Sequence, residues 1–352
     1  MMLPGLDDTF DLWKPDPFLD QALRKETATI PLIRPPEILH LQVTERCNFA
    51  CPKCYLPELN ATSPRHELPP KTFEKKVLIP AAEVGVKKIV VTGGEPFLYR
   101  GLFELLGCAK LHFAEVFLST SGFFLDEVNT QRVLDIGVDF IQVSLDAVSV
   151  ECLRKLMGGG AVERLWPNVE RFVARRNRRG SATRVIVATV IDRQNIHEIP
   201  AVLDRCQAIG VDSVTLQACH DYDTVYRSQS VEWPVYTEYD DDYLRRLADL
   251  IDQVIAAKRN GSQLFPHAEV YFRDLYTFFA DRASLRIRCQ ADDFLFVDSR
   301  GFIRGCIFSG PLGHVDNGIR AYLTSPAHNR FLDFKLDCHL CTHGCAYRPP
   351  MD

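Results

Sequence analysis

Between residues 38 and 258, short apolar runs alternate with longer amphipathic stretches. The runs Ile38–Thr44, Lys88–Thr92, Glu115–Thr120, Asp139–Leu145, Arg184–Ile191 and Asp212–Gln217 have the length and content of strands. Between and after them, residues 71–84, 101–110, 126–136, 163–178, 197–208 and 240–258 repeat their apolar positions at helical spacing. In the last of these, Leu244, Leu247, Ile251, Val254 and Ile255 form the stripe, and Asp240, Asp241 and Asp242 stand at the positive end of the helix dipole. Those three aspartates therefore read as dipole partners rather than as metal ligands. Six strand–helix repeats predict a parallel sheet with crossover helices. Side chains that do chemistry are then expected one or two positions past each strand, where parallel α/β architectures gather them.

Length changes this picture modestly. At 352 residues the chain exceeds one ordinary core. The expected division is an N-terminal extension (1–37), a strand–helix unit (38–260), a connecting segment (261–288) and a small cysteine-rich C-terminal unit (289–352). A composition of 46% hydrophobic and 25% charged residues is that of a soluble globular protein. No apolar run approaches the roughly 20 residues of a membrane span. A net charge of −5 offers no global attraction to nucleic acid. The basic run Arg171 to Arg179 closes a helical pattern before Gly180, where cations complement the helix dipole. Twelve cysteines behind an N-terminus with no secretory pattern point to metal or redox chemistry in a reducing, cytoplasmic setting.

Cysteine placement carries most of the chemistry. Cys47, Cys51 and Cys54 form a C-x3-C-x2-C run immediately after the first strand. Three thiolates so spaced can hold three irons of a 4Fe–4S cluster and leave the fourth open to a ligand. A structural zinc site is the competing reading, but neither His40 nor His66 completes an ordinary zinc spacing. Past the second strand comes Gly93-Gly94-Glu95-Pro96, in which two glycines permit a close backbone approach. The third strand ends in Ser119-Thr120-Ser121-Gly122. The fourth ends in Ser144-Leu145-Asp146, which puts an acid and a hydroxyl on one side of an extended chain. The alternative for Asp146 is a helix cap.

The three-cysteine loop and the Gly-Gly-Glu-Pro turn at successive strand ends resemble the radical S-adenosylmethionine (SAM) superfamily. The resemblance implies a partial (β/α)6 TIM-like barrel, an α/β fold. It also implies a 4Fe–4S cluster whose open iron chelates SAM, and reductive cleavage of SAM to a 5′-deoxyadenosyl radical. Gly93, Gly94, Glu95 and Pro96 would then receive the methionyl amine of SAM, Ser144 and Asp146 the ribose hydroxyls, and Thr189 on strand five would lie near the adenine. One departure stands out: Lys53, before the third cysteine, occupies a position that is commonly aromatic in the family.

The C-terminal cysteines follow the pattern C289-x16-C306-x31-C338-x2-C341-x3-C345, with a hairpin expected over Phe294 to Cys306. This resembles the SPASM or shorter Twitch extension of radical SAM proteins. Five cysteines supply one auxiliary 4Fe–4S cluster and leave one over; the expected set is Cys289, Cys306, Cys338 and Cys341, with Cys345 spare or substitute. Zinc on the same residues is the alternative.

The function expected from these readings is hydrogen-atom abstraction from an organic substrate, ending in a two-electron oxidation in natural-product or amino-sugar metabolism. An external electron donor such as flavodoxin or ferredoxin is implied. One alternative is epimerisation with Cys219, two residues past the sixth strand, as hydrogen donor; a peptide-modifying maturase is another. The third is an iron–sulfur binding or assembly protein without turnover, for which a SAM-binding turn has no use. The segment Asp221 to Asp242, rich in tyrosine and acids, suits an amine-bearing substrate or a plain covering loop.

Overall fold

The computed structural model describes residues 35–54, 56, 66–219, 239–281, 284–285, 289, 293–306 and 309–335. Cys338, Cys341, Cys345 and nearly all of the tyrosine-rich segment lie outside the described residues.

The six strands form in chain order: β1 (Ile38–Gln42), β2 (Lys88–Thr92), β3 (Glu115–Thr120), β4 (Phe140–Ser144), β5 (Arg184–Ile191) and β6 (Ser213–Ala218). Each lies parallel to the next, and the sheet does not close on itself, as in a partial TIM-like barrel. The crossover helices begin with α1 (Pro70–Phe73), which runs through a π-helical turn (Glu74–Leu78) into α2 (Ile79–Glu83). They continue with α3 (Leu102–His112), α4 (Glu127–Ile136), α5 (Val150–Leu156), α6 (Leu165–Arg179) and α7 (Ile199–Ile209). Two longer helices follow β6, α8 (Asp241–Arg259) and α9 (Glu269–Ala280).

Alternation decides which face is which. Leu39, Leu41, Ile89, Val91, Val116 and Leu118 are fully buried in the common core with helix residues such as Phe73, Leu105 and Val133. The intervening positions, among them Gln42, Thr92 and Ser119, are half-buried on the opposite face. A period of two in the sequence thus becomes one apolar and one accessible sheet face. Asp240 caps α8, its carboxylate accepting the Tyr243 N–H at 2.9 Å, and Asp242 pairs with Arg246 at 2.8 Å. The aspartate run is used at the helix end, as its position suggested.

The C-terminal hairpin forms as β7 (Phe294–Val297) against β8 (Phe302–Arg304), with β9 (Pro311–His314) alongside. It is not a free-standing unit. β7 also lies parallel to β1, in register from Ile38 opposite Phe294 to Leu41 opposite Val297, so that nine strands among the described residues make one sheet. The His40 ring stacks on Phe296 at 4.9 Å across that seam. Parallel β1–β7 pairing therefore brings Asp298, Ser299 and Arg300 to the same sheet end as the cysteine loop. Helices α10 (Ile319–Leu323) and α11 (Pro326–Lys335) close the described chain, with Phe331 buried. Among the described residues, no helix is long and apolar enough to cross a membrane.

One buried cation ties the second half of the barrel together. Arg176 donates to Asp212 Oδ2 at 2.5 Å, to the Thr183 carbonyl at 3.2 Å and to the Gly210 carbonyl at 3.1 Å, linking α6 to the starts of β5 and β6. Its neighbour Arg175 pairs with Glu127, which is 77% exposed. Arg176→Ala is expected to lower the free energy of urea unfolding by about 2 kcal/mol, since two carbonyls lose their donor and Asp212 keeps only the Val185 N–H. Arg175→Ala should cost below about 1 kcal/mol. Equal losses would show that the clamp contributes nothing beyond a surface pair.

Candidate active site

The site is built on the three residues that precede Cys47. Thr44 and Arg46 accept backbone N–H groups from the second turn, Gly94 to Thr44 at 2.8 Å and Glu95 to Arg46 at 2.7 Å. The Arg46 guanidinium grips Glu67 with two bonds of 2.7 and 2.9 Å and also donates to the Leu98 carbonyl, while the Thr44 hydroxyl donates to the same carboxylate. Glu45 points the other way, to Arg300 at 3.3 Å, and Asp298 is shared between Arg300 at 4.0 Å and Arg304 at 3.1 Å. Burial pushes the Glu45 carboxyl up, and Arg300 pulls it back down.

Gly94 explains the Gly-Gly turn in steric terms. A Cβ there would stand 2.3 Å from the Arg46 carbonyl oxygen, so any side chain would displace the backbone next to Cys47. The close approach read from the sequence is made to the cysteine loop itself. Glu95 is fully buried: its carboxylate accepts from the Thr120 hydroxyl (2.7 Å), the Ser121 hydroxyl (2.5 Å) and N–H (2.9 Å), and the Phe97 N–H (3.3 Å). It clasps the ends of β2 and β3, and its own pKa is raised by burial against the lowering effect of those bonds. Pro96 is buried and opens the short 3-10 turn Pro96–Leu98.

Cys47, Cys51 and Cys54 are all half-buried. The Phe49 N–H approaches Cys47 Sγ at 3.5 Å and the Cys54 N–H closes a turn on the Cys51 carbonyl at 3.0 Å. Burial raises all three thiols, Cys54 to about 11, and for Cys51 the neighbouring sulfurs of Cys54 and Cys47 add to the effect. A loop that gathers three thiols whose negative forms oppose one another fits a group that brings positive charge. Three cysteines on one short loop can each hold one iron of a 4Fe–4S cluster.

The remaining expected residues divide. Ser144 is exposed at the end of β4 with no side-chain partner among the described residues. Asp146 accepts the Val190 N–H at 2.7 Å; burial raises its carboxyl and Lys53 draws it back. Thr189 is fully buried and its hydroxyl donates to the Leu145 carbonyl at 2.7 Å, which spends that group inside the sheet. Cys219 pairs its N–H with the Ile191 carbonyl at 3.0 Å and is nearly enclosed. Its surroundings are polar: burial pushes the thiol up to about 12, the Lys53 ammonium works against this, and a bond to Asp192 adds to it. Cys289 and Cys306 are half-buried on the C-terminal segment.

Sequence reasoning missed the hub of that corner. Lys53, noted only as a departure, reaches Asp192 Oδ2 at 2.8 Å, and Asp192 is fully buried just past β5. Asp192 Oδ1 also accepts the Gln194 N–H at 2.7 Å. Its position one past the strand is the signal that the sequence offers.

The Radical SAM superfamily model matches residues 41–206. A PqqA peptide cyclase of Granulibacter bethesdensis is 32% identical over 180 residues, 51% of this chain and 46% of that protein. A GTP 3′,8-cyclase of Staphylococcus haemolyticus is 38% identical over 133 residues, 35% of this chain and 38% of that protein. The match thus spans less than half the length of either relative. The solved structure of native anSMEcpe with bound AdoMet shares the fold, with a TM-score of 0.62 at 16% identity over 88% of this chain and 89% of that one. Because the family match lies over the loop, the turn and the strand ends just described, residues 41–206 are a radical SAM superfamily domain.

Proposed function

We propose that the chain abstracts a hydrogen atom from a carbon of a peptide substrate and that the net result is a two-electron oxidation. The observation that carries the chemistry is the cysteine loop locked against the Gly-Gly turn. Matches to two PqqA peptide cyclases, at 32% and 33% identity, support a peptide over the amino-sugar expected from sequence. When bound, a 4Fe–4S cluster on Cys47, Cys51 and Cys54 with SAM on its open iron supplies the abstracting radical.

The chain's own residues orient and exclude. Gly94 and Glu95 fix the loop by their N–H groups, and the uncommitted hydroxyl of Ser144 and the seated carboxylate of Asp146 offer contacts to ribose. Asn48 Oδ1, Thr215 Oγ1 and Tyr243 Oη are buried without hydrogen-bond partners among the described residues, as polar groups left for a ligand would be. Cys289, Cys306, Cys338 and Cys341, with Cys345 spare or substitute, would hold an auxiliary cluster, which would supply the acceptor for the second electron, while the proton would go to solvent.

A second reading has its own support. Cys219 sits beside Asp192 and near Lys53 and Asp146 rather than in an apolar shell, and burial keeps it a thiol. A thiol there can return a hydrogen atom to the substrate radical on the opposite face, giving epimerisation. The sulfur radical left behind then needs one electron from the external donor and one proton from water.

Three outcomes test these readings. Anaerobically reconstituted Cys47→Ala/Cys51→Ala/Cys54→Ala protein is expected to lose about four irons per chain and all conversion of SAM to 5′-deoxyadenosine; unchanged iron would remove the cluster assignment. Gly94→Val is expected to lower both SAM cleavage and first-cluster iron, because its side chain meets the Arg46 backbone; full iron with full cleavage would show that the turn tolerates bulk. In heavy water, oxidation gives a peptide lighter by two mass units, whereas donation from Cys219 gives one solvent deuterium at the reacting carbon and stops in Cys219→Ala.

A further inference from the structure

Between Cys47 and Cys54 the chain carries one charged residue, Lys53, directly before the third cysteine. Its side chain, 15% exposed, turns to the end of β5, where the ammonium stands 2.8 Å from Asp192 Oδ2. Asp192 has no exposed surface at all. Charges so enclosed persist as ions when they are paired, because each has given up its water. The cysteine loop thus contains a cation, and the strand end opposite contains its counter-charge.

The acid is held in place for this contact. The Asp192 N–H donates to Asn195 Oδ1 at 2.7 Å, and Asp192 Oδ1 accepts the Gln194 N–H at 2.7 Å, which turns Oδ2 to the ammonium. Asn195 is itself fully buried and donates to the carbonyls of Asp146 at 2.7 Å and Val190 at 2.8 Å. The turn after β5 is thereby fixed to the end of β4. Asp146 and Cys219 also face the ammonium, and burial raises the pKa of each. The carboxylate in direct contact is that of Asp192.

A cation in that position has an electrochemical consequence. Adding one electron to a cluster adds one negative charge, so a nearby cation stabilises the reduced form and raises the reduction potential. Reductive cleavage of SAM requires the opposite, a reduced cluster that gives its electron up readily. A lysine between two ligand positions works against that chemistry unless its charge is cancelled. We propose that Asp192 sets the reduction potential of the cluster on Cys47, Cys51 and Cys54 by cancelling the charge that Lys53 brings into the loop. The proposal rests on the reading of the loop as a cluster site, and it gives the buried pair a role beyond holding the loop in place.

The test is a redox titration of the reconstituted protein followed by electron paramagnetic resonance, a measurement that needs no turnover. The signal of the first cluster is the one that changes when SAM is added. Asp192→Asn leaves the Lys53 charge unanswered and is expected to raise the potential of that signal. Lys53→Met leaves the Asp192 charge unanswered and is expected to lower it. Lys53→Met/Asp192→Asn removes both charges and is expected to return the potential close to the wild-type value. A pair that merely props the loop predicts a different order, with the double variant at least as far from wild type as either single one. That order, shifts of one sign in both single variants, or no shift in either would overturn the proposal. Should Asp192→Asn fail to assemble its cluster, Lys53→Met decides by sign, and a potential at or above wild type overturns the proposal. A wild-type holoprotein with no SAM-sensitive signal would instead remove the cluster reading beneath it, and this proposal with it.

Discussion

The structure depends on the immobility of Thr44, Glu45 and Arg46. A loop that presents three thiols to a cluster must hold its backbone against their mutual repulsion, and these three residues anchor it on opposite sides. Backbone bonds from Gly94 and Glu95 fix the strand side, Glu67 takes Thr44 and Arg46, and Arg300 takes Glu45. The anchors come from residues as far away as 300. Local propensity cannot supply that rigidity, because the loop has no regular structure of its own. It is imported from strand ends that the sheet has already placed.

This explains why a hairpin near the C-terminus belongs to the barrel sheet. Were β7–β8 a separate unit, Arg300 would have no fixed distance to Glu45. Pairing β7 parallel to β1 sets that distance through the sheet. A strap at residues 66–69 reinforces it: the Leu68 N–H donates to the Ser299 carbonyl at 2.9 Å, and its carbonyl accepts the Tyr99 hydroxyl at 2.8 Å. A displacement of the hairpin that carries Cys306 would thus be felt at Glu45, two residues before Cys47.

Much of the barrel was legible because its determinants are local. Period-two burial along β1 to β6, the Asp240 cap and the glycine after Arg179 all act within a few residues. The three cysteines and the Gly-Gly turn were legible for a different reason: their residue types permit few other uses at those spacings. What escaped was set by tertiary contact alone. The β1–β7 pairing joins strands some 250 residues apart with no signal in either. Lys53 stands in the sequence as a departure from the family pattern, and only the folded chain supplies its partner, Asp192.

The charges around the loop carry a further lesson. Arg46–Glu67, Lys53–Asp192, Glu45–Arg300 and Asp298–Arg304 each join segments separated in sequence, and several of their members are nearly enclosed. Enclosed ion pairs add little net stability, since desolvation offsets attraction; their value lies in excluding arrangements that would leave a charge alone. Here they act as register pins. Each pair is neutral as a unit, so they hold the loop from several directions without adding net charge to the thiols. Burial, the neighbouring sulfurs, and the carboxylates of Glu95 at Cys47 and Asp146 at Cys51 all oppose ionisation of the thiols. In a site whose thiols resist ionisation without a positive partner, that arrangement makes the bound group, rather than the surrounding protein, the main source of compensating charge.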